Sequence, residues 1–452
     1  MPSERLVVIG GVAAGMSAAS RARRINPQLE IIVLEKGETV SYGTCGLAHL
    51  VSGMVKNEED LIVYTPDYFR TQRGIDVRTG CEVTEIVPAK REVMVRSGGA
   101  TQALKYDKLV IAAGAAPTVN IPGAKGPRVF TCNDMAGALE LRNFLLVRRP
   151  ERGVVIGGGY IGLEVAEALR AHKVDVTLLE RGSTLLEGLE PEIEEWMSER
   201  LASHEVKYLL RSPVSGIETS HSGPASVLYG EKKAHLADVV VLATGVQPRA
   251  TLAAAADVEL GATGGIRTDD RQQTNISGIY AAGDCTEVTH LVTGGPAYVP
   301  LGTTANKQGR VAGENAAGGN ARFPGVVGTL VAKVFELEVG KTGLSYEAAR
   351  AAGFQAETVT ITSPSQAKYL IGKPLRATLT ADRASGRLLG GQLAGEEGAA
   401  RRVDVVAAAL TARMTLDDFV HLDLGYAPPY GPVYDPLLVA AWELLGEIGR
   451  RR

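Results

Sequence analysis

Two stretches of this chain repeat one pattern. Leu6 to Ile9 is a short apolar run that meets the turn Gly10-Gly11-Val12-Ala13-Ala14-Gly15; a stretch rich in Ala and Arg, Met16 to Arg24, follows, and Glu30 to Leu34 is a second apolar run ending on Glu35. The pattern returns at Gly157: Val154 to Ile156, the turn Gly157-Gly158-Gly159-Tyr160-Ile161-Gly162, then Leu163 to Ala171, then Val174 to Leu179, ending on Glu180. Strand, tight turn, helix and second strand make a βαβ unit of the usual length. Two copies this far apart imply two domains, not a solenoid.

In Gly157-x-Gly159-x-x-Gly162, the first glycine permits the turn, the second lets backbone approach a pyrophosphate, and the third lets helix and strand pack closely. The phosphates then face the positive helix end and its free N–H groups. Glu180 lies 18 residues after Gly162, where a carboxylate accepts hydrogen bonds from an adenosine ribose. The first unit departs from the pattern, because Val12 holds the middle glycine position. Glu35, 20 residues after Gly15, supports it all the same, since an acid ending a buried strand is costly without a role. The expected fold class is α/β with two Rossmann-type dinucleotide-binding domains.

Two such sites suggest a bound flavin and a passing nicotinamide. Asp284, at the end of the strand-like Ile279-Tyr280-Ala281-Ala282-Gly283, suits the ribityl hydroxyls of FAD; its plainer role is a helix N-cap. Glu180 repels a 2′-phosphate, which favours NADH over NADPH. The neighbouring Arg181 attracts one and leaves NADPH possible.

The 452 residues exceed one ordinary core, so two or three domains are expected. A net charge of -3 gives no electrostatic case for nucleic acid or an anionic membrane. No apolar run approaches the roughly 20 residues of a transmembrane helix, and the N-terminus carries no secretion-signal pattern. A cytoplasmic location is expected. Cys45, Cys81, Cys132 and Cys285 form neither a zinc pattern nor a Cys-x-x-Cys pair, so no metal is expected and cysteine chemistry is catalytic. Leu109 to Gly114 reads as a strand entering a turn, Asn120-Ile121-Pro122-Gly123 as a linker, and Leu242 to Pro248 as a repeat of the strand-to-turn pattern. From about Phe323 the style changes. Strands are expected at Thr329–Leu337, Gln355–Thr362, Leu375–Ala381 and Leu388–Leu393, and helices at Arg402–Ala412 and Pro436–Leu445, giving a C-terminal α+β domain.

The paired glycine motifs, Ile121-Pro122-Gly123, the Ala243-Thr244-Gly245 turn and the Ile279 to Asp284 stretch resemble the flavoprotein reductases with two dinucleotide-binding domains. Ser41-Tyr42-Gly43-Thr44-Cys45-Gly46-Leu47 is similar to their single-cysteine branch: the coenzyme A-disulfide reductases and their NADH oxidase and persulfide reductase relatives. The resemblance reaches Tyr426-Ala427-Pro428-Pro429-Tyr430. It implies an FAD-binding domain (1–118 and 247–322) interrupted by an NAD(P)H-binding domain (119–246) and followed by a dimerisation domain (323–452) that makes a homodimer. It implies cofactor contacts at Gly10, Ala14, Gly15, Glu35, Lys36, Val83, Gly114, Gly157, Gly159, Tyr160, Ile161, Gly162, Glu180, Gly245 and Asp284.

Cys45 is the expected redox residue. Glutathione-reductase-like relatives keep two cysteines separated by four residues. Positions 40 and 50 here are Val and Leu, so Cys45 works as a thiolate, mixed disulfide or sulfenic acid. It precedes a predicted short helix, whose N-terminus lowers a thiol pKa. The other three cysteines read as small buried side chains. The resemblance implies electron flow from NADH through FAD to Cys45, resolving a Cys45–S–S–CoA bond or a Cys45 persulfide, with Tyr369 and Tyr426 of the partner subunit donating hydrogen bonds. Coenzyme A contacts follow at Arg24, Ser41, Thr44, Arg73 and, from the partner subunit, Lys307, since Arg and Lys suit phosphates and Ser and Thr suit amides. The chain departs from the family in places. Thr44 stands where Asn is commoner, Ala48-His49-Leu50 replaces Pro-Tyr-Tyr, and Tyr369 to Gly372 is one residue short before Pro374. His49 reads as an incidental pocket-wall side chain. Ala13 replaces the histidine of the peroxidases, which disfavours a His-assisted peroxide mechanism but leaves oxidase activity open. No fused rhodanese-like domain is expected. CoA disulfide, persulfide, polysulfide and oxygen stay open as acceptors. A reading of another class, an electron-transfer flavoprotein serving a protein partner, needs no reactive cysteine.

Overall fold

The computed structural model describes residues 4–220, 223–231 and 233–450. Four consecutive buried side chains, Leu6 to Ile9, place the strand Arg5–Ile9 at a sheet centre with both faces covered. The sheet around it is wholly parallel, in the order Ile279–Ala281, Lys108–Ile111, Arg5–Ile9, Glu30–Leu34, Asp76–Arg78. The chain crosses over between Arg5–Ile9 and its neighbour Lys108–Ile111. That is the switch point where open α/β sheets receive ligands. The second glycine unit builds the same object: Lys207–Leu209, Asp175–Leu179, Arg152–Ile156, Val239–Leu242 and Val129–Thr131, again all parallel.

Both helices start inside their glycine motifs, at Ala13 and Tyr160, three residues before the expected Met16 and Leu163. Their unpaired N–H groups therefore belong to the turns themselves. The helix Ala13–Ile25 lies against Gly302–Ala316, a helix that the sequence reading did not identify. The approach is close because small residues face each other: a Cβ on Gly309 would lie 2.2 Å from the Ala14 carbonyl oxygen, and one on Gly313 2.0 Å from that of Ala18.

The strand expected at Leu109–Gly114 ends at Ile111. Ala115–Pro117 is a separate strand that pairs antiparallel with Val246–Pro248 and joins the two nucleotide units. Two three-stranded meanders, 82–105 and 214–237, were also not anticipated.

The C-terminal sheet is antiparallel, in the order Leu330–Val334, Leu337–Gly343, Leu388–Gly395, Pro374–Asp382, Ala356–Pro364. The single strand expected at Thr329–Leu337 is in fact a hairpin turning at Phe335 and Glu336. No glycine marks this turn. Phe335 takes φ 53° with its ring stacked flat on His204, centroids 3.8 Å apart, so packing supplies what local propensity does not. Helices Ala399–Thr411 and Pro436–Arg450 cover the sheet. Among the described residues no helix is long and apolar enough to cross a membrane, and no grouping of His, Cys, Asp and Glu suits a metal ion.

Candidate active site

The glycines earn their places sterically. Gly10 (φ 102°) and Gly157 (φ 111°) occupy backbone that favours glycine, and a Cβ on either would lie 2.2 Å from the carbonyl oxygen of Ala112 or Ala243. A Cβ on Gly15 would lie 1.8 Å from the Gly10 oxygen, and one on Gly162 1.9 Å from the Gly157 oxygen. At Gly159 nothing lies within 4 Å, leaving open backbone. The two acids act alike. Glu35 accepts from the N–H groups of Gly11 and Gly37, both at 2.7 Å, and Glu180 from those of Gly158 and Gly182, both at 2.6 Å. Each carboxylate braces its glycine turn and keeps lone pairs for a ribose diol.

A cleft of about 2250 Å³ opens at the switch point of the first sheet. Gly10, Ala14, Glu35, Lys36, Thr44, Cys45, Val83, Gly114, Tyr160, Ile161, Asp284 and Lys307 all line it. Gly157, Gly159, Gly162, Glu180 and Gly245 lie apart from it, in or beside the second nucleotide unit, and Gly15 lies beneath Gly10. Arg24, Ser41, Arg73, Tyr369 and Tyr426 do not line the cleft either. The resemblance draws Lys307 from the partner subunit, whereas Lys307 of this same chain faces the cleft.

Asp284 is not the N-cap of a helix. It sits in a turn, and the next helix begins at Gly302. Its Oδ1 is buried without a hydrogen-bond partner, and burial pushes its carboxyl up to about 6. An orphaned carboxylate oxygen in a cleft with Gly10 and Glu35 is what a polyhydroxylated cofactor would satisfy, so these residues fit FAD.

Cys45 occupies the short turn Thr44–Gly46 that leads into the helix Leu47–Ser52, and it is exposed to the cleft. Cys81, Cys132 and Cys285 are buried free thiols. A Cβ on Gly302, the first residue of the 15-residue helix Gly302–Ala316, would lie 4.0 Å from the Cys45 Sγ, so two helix N-termini address this sulfur. The expected lowering of its pKa does not result. Crowding by surrounding protein raises it, and the carboxylates of Glu164 and Asp284 raise it further; the Thr44 hydroxyl pulls the other way.

Glu164 is the main residue that the sequence reading missed. It lines the cleft one turn after Tyr160 on the same helix face, and its carboxyl is pushed up to about 7, chiefly by burial. The signal was the i, i+4 spacing from Tyr160, whose phenol burial and the charge of Asp284 push up to about 12. His49 does not line the cleft.

The model of the pyridine nucleotide-disulphide oxidoreductase family matches residues 4–309, and that of its dimerisation domain residues 330–435. The chain belongs to this family. It is thus an FAD- and NAD(P)H-dependent oxidoreductase. The NAD(P)H coenzyme A polysulfide/persulfide reductase of Pyrococcus horikoshii is 39% identical over 442 residues, covering 97% of this chain and 98% of that protein. The coenzyme A disulfide reductase of Staphylococcus haemolyticus is 28% identical over 434 residues, 94% of this chain and 96% of that one. An NAD-dependent persulfide reductase from A. fulgidus superposes with a TM-score of 0.96 at 38% identity, over 99% of this chain and 84% of the other.

In the dimerisation domain of this oxidoreductase, Tyr369 and Tyr426 meet. The Tyr369 hydroxyl neighbours that of Tyr426 and holds its phenol above the ordinary value. The two segments are joined by the Ala367 N–H donating to the Pro428 carbonyl at 3.1 Å. Around them Tyr369 (71%), Ile371 (90%), Tyr430, Val433 and Tyr434 are exposed. Ile371 also takes φ 54°, strained for a β-branched residue.

Proposed function

We propose that this oxidoreductase reduces coenzyme A disulfide, or the persulfide of coenzyme A, at the expense of NAD(P)H through Cys45. One observation carries the reading: of four cysteines only Cys45 is exposed, and it lies in the same cleft as the orphaned Asp284. The Cys45 thiolate attacks one sulfur of the substrate disulfide. A Cys45–S–S–CoA bond forms, and one coenzyme A thiolate leaves and takes a proton. With a persulfide, attack on the outer sulfur leaves a Cys45 persulfide and frees coenzyme A thiol. FAD, held by Gly10, Ala14, Gly15, Glu35, Lys36, Val83, Gly114 and Asp284, supplies two-electron chemistry between the nicotinamide and the cysteine. Two electrons and a proton at Cys45 then regenerate its thiolate and release the second thiol, or hydrogen sulfide. Gly157, Gly159, Tyr160, Ile161, Gly162, Glu180 and Gly245 serve the nicotinamide dinucleotide. NADH is the better donor because Glu180 repels a 2′-phosphate, and a higher kcat/KM with NADPH would overturn that preference.

The working unit is a cytoplasmic homodimer. Its exposed aromatic surface at 369–371 and 426–434 is the contact, and Tyr369 and Tyr426 of one subunit donate hydrogen bonds to the sulfurs at Cys45 of the other. Arg24, Ser41, Thr44, Arg73 and Lys307 hold coenzyme A. Intact mass under denaturing, non-reducing conditions tests the assignment. A coenzyme A-sized adduct on Cys45, lost on thiol reduction, is expected. An adduct on another cysteine, or none together with no turnover of coenzyme A disulfide or persulfide, overturns it in favour of an oxidase or polysulfide reductase. An electron-transfer flavoprotein would consume only two electrons per FAD in a reductive titration, whereas participation of Cys45 requires more.

A further inference from the structure

Beyond the cleft, the loop that carries Cys45 is tied to a surface whose aromatic side chains none of these assignments uses. Ser41 takes φ 51°, an unusual conformation for a non-glycine residue, and is held from both sides: its N–H donates to the Gly11 carbonyl at 2.9 Å, and its carbonyl accepts from the Val63 N–H at 2.8 Å. Gly43 donates to Leu61 at 2.9 Å, and Tyr42 bridges Ile62 in antiparallel register. The segment so paired runs directly into Tyr64. Thr65 then caps the helix Pro66–Arg73, accepting from the Tyr68 N–H at 3.2 Å.

Tyr64 and Tyr68 stack with centroids 4.4 Å apart and planes 13° from parallel. Both rings stand edge-on to Phe69, at 5.8 Å and 5.9 Å. Phe69 is only 3% exposed, so the pair is anchored in the core and its rings are fixed in orientation. Tyr64 is left 41% exposed, and its neighbour Val63 is exposed as well. The Arg73 guanidinium lies 5.7 Å from the Tyr68 centroid and donates to its hydroxyl at 3.3 Å. The Arg73 backbone carbonyl in turn accepts from Arg23 of the first helix at 3.1 Å. A fixed, flat aromatic face beside guanidinium groups suits a purine that carries phosphates: the ring stacks, and the cations meet the anions.

We propose that Tyr64, backed by Tyr68 with the Arg73 guanidinium beside it, seats the adenine ring of coenzyme A and so selects the nucleotide-bearing substrate. The inference rests on the coenzyme A reading above and adds the residue that recognises the far end of the molecule. The backbone pairing of Ser41 to Val63 supplies the continuity. One segment of paired chain carries the cysteine loop at one side and the aromatic face at the other, as an elongated thiol with a nucleotide at its far end requires.

The test compares kcat/KM for coenzyme A disulfide with that for pantethine, the disulfide lacking the adenine nucleotide, in the FAD-loaded dimer. Wild type should prefer coenzyme A disulfide. Tyr64→Leu should cut that preference roughly tenfold, and Tyr64→Phe, which keeps the ring, should restore it. An unchanged flavin spectrum in each variant shows that the fold is intact. A preference equal in wild type and Tyr64→Leu overturns the adenine seat while leaving the coenzyme A reading standing; so does the same result with a weakened dimer in sedimentation, which gives the face to a second copy of the chain. Wild type that turns over pantethine as well as coenzyme A disulfide also overturns the adenine seat, and wild type that turns over neither these disulfides nor coenzyme A persulfide overturns both readings.

Discussion

At Cys45 two carboxylates and two helix ends compete. The helix termini favour a thiolate, but burial together with Glu164 and Asp284 raises the thiol pKa. Glu164 itself titrates near neutrality, its carboxyl raised from 4.5 to about 7 by burial and Glu167 against the opposing Lys333. As pH rises through that value, Glu164 gains charge and makes the next deprotonation, at Cys45, harder. Glu164→Gln should therefore speed alkylation of Cys45 at pH 8 by roughly two- to fivefold and remove an inflection near pH 7 from the pH profile. A superimposable profile would mean that the carboxylate is not felt. The same groups tie stability to pH. Folded Glu164 and Asp284 hold their protons more tightly than unfolded ones, Asp284 shifting from 3.8 to about 6. Their stabilisation is present below the unfolded values and is lost as pH rises through about 6 and 7. Urea midpoints of the FAD-free protein should fall over that window, and the fall should shrink in Glu164→Gln.

The elements owe their geometry to backbone contacts as much as to side chains. In each nucleotide unit the third glycine lies so close to the first that even a methyl group will not fit: a Cβ on Gly162 would lie 1.9 Å from the Gly157 oxygen. Gly162→Ala should push the helix Tyr160–Ala171 off its turn and raise the KM for NADH roughly tenfold or more, with the flavin spectrum unchanged. Gly15→Ala should instead yield protein that loses FAD on gel filtration. Flavin loss in both variants would show that the two units do not act separately. Local pattern located these turns but placed the helix starts one turn late. It also ran the hairpin at Phe335 together as one strand, because the turn is held by His204, a residue 131 positions away in sequence (335 less 204).

Over the whole molecule, the second nucleotide unit is fixed to the C-terminal domain by a polar seam. Gln392, 4% exposed, accepts from the Glu190 N–H at 2.8 Å and donates to the Gly188 carbonyl at 2.7 Å, while Glu190 accepts from the Tyr346 N–H at 2.7 Å. Glu167 takes the Phe335 N–H at 3.0 Å and pairs with Lys333. Gln392→Leu strands one buried and one half-buried backbone group and should cost about 1–3 kcal/mol, read as a lower denaturation midpoint; no loss would mean that the seam relaxes around water. The proposed shared sites make a further prediction. Mixed dimers of Cys45→Ser with Tyr426→Phe should recover turnover that neither homodimer shows at full rate, since one wild-type pair reassembles. Failure to recover would place each site within one chain.

The sequence by itself determined the two nucleotide units, their strand-ending acids and the one cysteine set apart by its local motif, because glycine turns, strand-ending carboxylates and cysteine spacing are properties of short segments. Only the tertiary structure decided how Cys45 is charged and what surrounds it. Gly302 at its sulfur, Glu164 from the other nucleotide unit, the unpaired oxygen of Asp284 and the pairing of Ser41 with Val63 all arise from contacts between separate elements. Such contacts set pKa values and substrate surfaces through burial and distance, which no local periodicity encodes.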